Sequence, residues 1–142
     1  MHLFPMLAAG SLLLTVAALA DEPSVRQAGE WQVTTIGPGG KANPPKSYCY
    51  GQASITDLMK SMGVCSKRDI STIGTRTTVD AICTKGTQQV TAHMTITAAS
   101  DTSRHAELQF IYSPPIAGMS NIDIISDSKW LGPCPNGEKP VN

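Results

Sequence analysis

Alternation of apolar and polar positions is clearest between Gln89 and Tyr112. Val90, Ala92, Met94 and Ile96 take one phase, while Gln89, Thr91, His93, Thr95 and Thr97 take the other. Beyond the turn residues Ser100-Asp101-Thr102-Ser103, the phase Ala106, Leu108, Phe110, Tyr112 answers it. A period of two places successive side chains on opposite faces, as in half-buried antiparallel strands. Gly29 to Ile36 predicts a first strand with Trp31 and Val33 on one face, ended by Gly37-Pro38-Gly39-Gly40. Ser47 to Tyr50 predicts a second, and Cys65 to Cys83 a hairpin with Gly74 at its tip. Ser113-Pro114-Pro115 should break the strand before it, and a last strand around Asn121 to Leu131 carries Ile122 and Ile124 inward.

One stretch has a different period. Ile55, Leu58, Met59 and Met62 fall at i, i+3, i+4 and i+7, a helical apolar stripe. Ser54 is a good N-cap, Asp57 completes a weak capping box, and Gly63 supplies a left-handed stop. At this spacing the methionines read as core rather than as a soft ligand surface. The expected fold is therefore mainly β. It is an antiparallel meander of about seven strands, forming a small sandwich or partly closed barrel, with one short helix over about 54–62. Curling of that kind hides strand edges.

The start of the chain has the composition of a secretory leader. Residues 1–20 are apolar and small, Leu12-Leu13-Leu14 lies at the centre, and Ala18-Leu19-Ala20 precedes Asp21. The segment carries no Lys or Arg, and it is just long enough to span a bilayer if retained as an anchor. Cleavage after Ala20 is preferred because the small residues sit where signal peptidase needs them. The remaining organisation reads as a lead-in over 21–28, one β-rich domain over 29–134, and a loose tail over 135–142. No later run is apolar enough to cross a membrane, and the fold is expected to be monomeric.

Export changes the meaning of the four cysteines, Cys49, Cys65, Cys83 and Cys134. An oxidising compartment pairs them, and zinc is disfavoured because no two lie close enough to share a turn. Cys65 and Cys83 stand nine residues either side of Gly74. A symmetric hairpin would oppose them and leave Cys49 with Cys134. Three connectivities are open, and Cys49 with Cys65 across the helix ranks next. The localisation expected is periplasmic or secreted.

Charge points away from nucleic acid. Eleven basic and eleven acidic residues all follow the leader, and Lys67-Arg68 is the only adjacent basic pair. Such a surface sets up no long-range field for a polyanion.

Catalytic chemistry is hard to find. No serine lies in a Gly-x-Ser-x-Gly turn, and Gly37-Pro38-Gly39-Gly40 lacks the Lys-Ser/Thr of a phosphate loop. Centring the hairpin turn on Asp101 pairs Ile96 with Ala106, His93 with Gln109 and His105 with Thr97. The two histidines then lie about 13 Å apart, too far to share one ion. Asp123 and Asp127 read as solvated. No catalytic residue, metal ligand or cofactor is expected. Trp31, Trp130 and Tyr112 are the candidate pocket-lining residues for an apolar or glycan ligand, with core packing as the plainer alternative. A non-catalytic module binding an envelope protein or a small ligand is the preferred class. The alternative is a periplasmic enzyme with an unrecognised active site, and cysteine redox exchange is a weaker third.

Gly29-Glu30-Trp31-Gln32-Val33 behind a leader, Cys49 before a short helix, Cys65 and Cys83 about a central glycine, and a final Leu131-Gly132-Pro133-Cys134 resemble an exported bacterial family, domain of unknown function 3617 (DUF3617). The resemblance runs over about residues 28–134. Many members begin the helix with a Thr-Pro-Glu type sequence, where this chain has Gly51-Gln52-Ala53-Ser54. The resemblance implies an exported domain and brings no known activity or catalytic residues.

Overall fold

The computed structural model describes residues 24–37 and 39–141; the leader expected over 1–20, residues 21–23, Pro38 and Asn142 lie outside the described residues. Nine strands and one helix follow in the order β1 (Ser24–Arg26), β2 (Gly29–Ile36), β3 (Lys46–Tyr50), β4 (Ala53–Ser54), α1 (Ile55–Lys60), β5 (Val64–Ile73), β6 (Arg76–Lys85), β7 (Gln88–Ser100), β8 (Ser103–Ile116) and β9 (Met119–Gly132). Seven strands form one antiparallel sheet in the order β3-β2-β9-β8-β7-β6-β5, and β1 pairs separately with β4. This is the mainly β meander the alternation predicts, built from successive hairpins between β5 and β9. The sheet does not close: β3 and β5 are its two edges. Edge β5 carries Lys67, Arg68 and a bulge, devices that discourage pairing with another strand.

Registers follow from turn chemistry. The β7–β8 ladder pairs Ile96 with Ala106, His93 with Gln109 and Thr97 with His105, as a turn centred on Asp101 requires. The β5–β6 hairpin turns through two residues, Gly74 and Thr75, between paired Ile73 and Arg76. Gly74, at φ 59°, holds the left-handed first position that a tight hairpin turn wants. A two-residue turn alone would put Ser66, not Cys65, opposite Cys83. A bulge between Cys65 and Lys67 absorbs Ser66 and restores the opposition.

The expected break at Ser113-Pro114-Pro115 is corrected, since β8 runs on to Ile116. The prolines are tolerated because pairing with β9 lapses between Ile111 and Ile116, so no ladder N–H is demanded of them there. The Ser113–Pro114 peptide is cis.

The helix forms where its caps permit. Ser54 accepts from the Asp57 backbone N–H, and the Asp57 carboxylate accepts from the Ser54 N–H, a reciprocal capping box. Ile55 and Met59 are buried against Val79, Ala81 and Cys83 of β6 and Ala92 and Met94 of β7. Removing each of those two helix side chains from water contributes about 1.5–3 kcal/mol as an upper figure. Gly63 follows at φ 99°, with its Cα so close to the Thr84 carbonyl that a Cβ would lie 2.3 Å from the oxygen. The face of the sheet under α1 is called inward below.

Two disulfides fasten the ends of this arrangement, Cys65 to Cys83 (Cα–Cα 3.8 Å) and Cys49 to Cys134 (5.4 Å). The second ties β3 to the segment after β9. In the tail read as loose, the Val141 N–H donates to the Cys49 carbonyl at 2.8 Å.

Candidate functional site

The helix covers β6 and β7, and beside it the inward face of β2, β8 and β9 is only partly filled. Inward positions there are small. Along β9 the phase that carries Ile122 and Ile124 continues as Ser126 and Ser128, and β8 contributes Ala106. Short side chains at successive inward positions leave volume that no neighbour fills. The result is a cavity of about 180 Å³ bordered by these three residues, by Trp31 and Val33 of β2, and by Leu58 of α1. Tyr50, Ile96, Arg26 and Arg104 complete its wall. Cavities of about 150 Å³ accept a benzene ring, so there is room for a small ring or a segment of chain.

Trp31 is the anchor of this wall. It is 1% exposed, and its indole N–H donates to the Gln27 carbonyl at 3.0 Å, which fixes the ring plane. Arg104 stands 5.8 Å from the Trp31 ring, and Arg26 lies 3.9 Å over the ring of Tyr50 while donating to the Gly51 carbonyl. Burial lowers the Arg26 pKa, opposed by Tyr50, and burial raises that of Tyr50, opposed by Arg26. An arginine remains charged through such shifts, so the cavity has an apolar floor and cationic walls.

Of the three aromatic residues singled out from sequence, Trp31 and Trp130 are opposed in the β2–β9 ladder and Tyr112 lies apart. Trp31 borders the cavity above, whereas Tyr112 borders another of about 350 Å³ with Val90, Phe110, Met62 and Ile116. Trp130, paired with Trp31 in the ladder, lies over Gly29 and donates to the Ala28 carbonyl at 3.2 Å. Sequence reading missed Arg26, Arg104, Ser126 and Ser128. The change from isoleucine to serine within one inward phase of β9 was the available signal for the last two.

The outward face carries the histidines and the strand carboxylates. His93 Nδ1 meets Asp80 at 2.5 Å, and His105 Nδ1 meets Asp127 at 2.6 Å with Nε2 3.4 Å from Glu107. All five side chains are well exposed. The hydrogen bond that His105 donates to Asp127 is the main cause of a raised His105 pKa, with Glu107 adding to it and desolvation opposing it. Asp123 accepts from Gln109 at 3.0 Å. Among the described residues, no three His, Cys, Asp or Glu side chains gather as a metal site.

A family model described as protein of unknown function (DUF3617) matches residues 26–134. No curated protein and no solved structure matches the chain.

Proposed function

We propose that this chain, which belongs to the DUF3617 family, is an exported, non-catalytic binding module of the bacterial cell envelope whose site is the cavity beside Trp31. The observation that carries this reading is the unfilled apolar volume beside α1, walled by a rigid indole in a molecule held by two disulfides. Preformed concave sites with a few placed polar groups are the usual form of small-ligand sites. Two disulfides and the apolar leader support an oxidising compartment, the periplasm or the exterior. Among the described residues no helix is long and apolar enough to cross a membrane. The guarded β5 edge supports a monomer.

The test is a titration of the exported, oxidised protein with the neutral dye N-phenylnaphthylamine. The reading expects saturable one-site binding that Ala106→Phe or Ser126→Leu abolishes while near-ultraviolet circular dichroism stays native. Absence of saturable binding, or binding indifferent to both folded variants, contradicts it.

A further inference from the structure

The acidic residues of the sheet keep to one face, whereas its basic residues take both, with Lys67, Arg76 and Lys129 beside the carboxylates. Lys46 shares the inward phase of Val33, and Arg68 that of buried Ala81. Lys85 borders the cavity at Tyr112, and Arg104 the one at Trp31. Every Asp and Glu on the seven strands takes the opposite phase, including Asp69, Asp80, Glu107, Asp123 and Asp127. Among the described residues the inward face of the sheet is thus apolar at its centre and basic at its margins.

The apolar part is a strip rather than a bowl. Leu108 lies opposite Ile124 and Phe110 opposite Ile122; all four stay half-buried, with Leu108 and Phe110 packed along the flank of the α1 core cluster. Along β8 this strip runs from Ala106, at the first cavity, to Tyr112, at the second. Six residues of strand make that about 20 Å. A long narrow apolar surface suits one extended hydrocarbon chain, which gains by burying each methylene. Basic margins without strand carboxylates complement a negative head. The volume lies beside the helix in concave cavities, which admit a single molecule better than they admit a flat bilayer.

Resting on the binding reading above, we infer that the ligand is a single-chain anionic amphiphile, taken up as a monomer with its chain along the β8–β9 strip and its head at the basic margin. Affinity then has two separable parts. The chain contributes through Leu108 and its neighbours, and the head contributes through a field that salt screens.

The experiment is displacement of N-phenylnaphthylamine from the exported protein by laurate, and by dodecyltrimethylammonium, each below its micelle concentration. Laurate is expected to displace the dye at a concentration lower by about tenfold than the cation, with the difference shrinking as salt rises. Leu108→Gln is expected to weaken laurate by about tenfold. Because that variant disturbs the inward face, Lys85→Gln with Arg68→Gln gives a second arm, expected to reduce the laurate preference over the cation while near-ultraviolet circular dichroism stays native. Dye that binds saturably but is displaced equally by both amphiphiles, or by neither, overturns the inference and leaves the cavity reading standing. Sedimentation with anionic phospholipid vesicles while laurate displaces nothing also overturns it, in favour of a membrane surface. Failure of the dye to bind overturns both.

Discussion

Cys65 and Cys83 face each other across the β5–β6 hairpin with Cα atoms 3.8 Å apart, and they do so because Ser66 is absorbed in a bulge. The bond closes a loop of 18 residues' separation. By chain entropy such a crosslink contributes about 3 kcal/mol. Cys65→Ser and Cys83→Ser are each expected to lower unfolding free energy by about that amount, with the double variant little worse. Denaturant titration of the three variants checks this; additive losses would show that the two residues act separately. Non-reducing peptide mapping should return Cys49 joined to Cys134 as the other link.

Gly29 marks the place where β2 passes under Trp130. A Cβ there would stand 2.1 Å from the indole nitrogen and 2.5 Å from the Gly132 carbonyl, at a φ of 141°. Gly29→Ala is therefore expected to destabilise the fold by more than about 1 kcal/mol. Thermal unfolding is the measurement, with Gly39→Ala as a control for left-handed backbone in open space. Equal losses for the two would remove the argument from crowding.

The cap of α1 is expected to be acid-sensitive. Hydrogen bonds from Lys60 and from Ser54 hold Asp57 down to about 2. A carboxylate depressed in the folded state contributes fully above its unfolded pKa, near 4, and loses that contribution as pH falls toward 2. Hydrogen exchange of the first helical turn should accelerate across that window, and Asp57→Asn should flatten the change. Ser54→Ala, which deletes the reciprocal acceptor, should cost about 1 kcal/mol at neutral pH.

His105 works in the opposite sense. Its pKa is raised, chiefly by Asp127, so the pair stabilises most fully below the ordinary imidazole value and fades as pH rises through the raised one. Proton NMR of the His105 ring should give a midpoint above that of free histidine, and Asp127→Asn should lower it. A midpoint unmoved by Asp127→Asn would deny the hydrogen bond seen at 2.6 Å its effect.

Much of the fold was legible because alternation is strong where one face is buried. The phase of Val90 to Ile96 against Ala106 to Tyr112, with a turn at Asp101, was enough to place His93 opposite Gln109. Ser54 and Asp57 announced the helix start for a similarly local reason. The bulge at Ser66 was not legible, since the preference for a two-residue turn and the pull of the disulfide are nonlocal and only together demand it. Neither was the passage of β8 through Pro114 and Pro115, which depends on a gap in the neighbouring ladder. The cavity was half visible. Trp31 could be picked out as a large aromatic, but Arg26 lies on a three-residue strand, too short for any period to show. Trp130 and Tyr112 were grouped with Trp31 by residue type, and the sheet separates Tyr112 from it by the length of β8.

Amide chemical-shift mapping during titration with N-phenylnaphthylamine tests most directly that this protein binds ligands on its inward face. Shifts should concentrate on Trp31, Leu58, Ala106 and Ser126 around the cavity. Shifts concentrated instead on His93, Gln109 and Asp123 would place binding on the outward face and contradict the account.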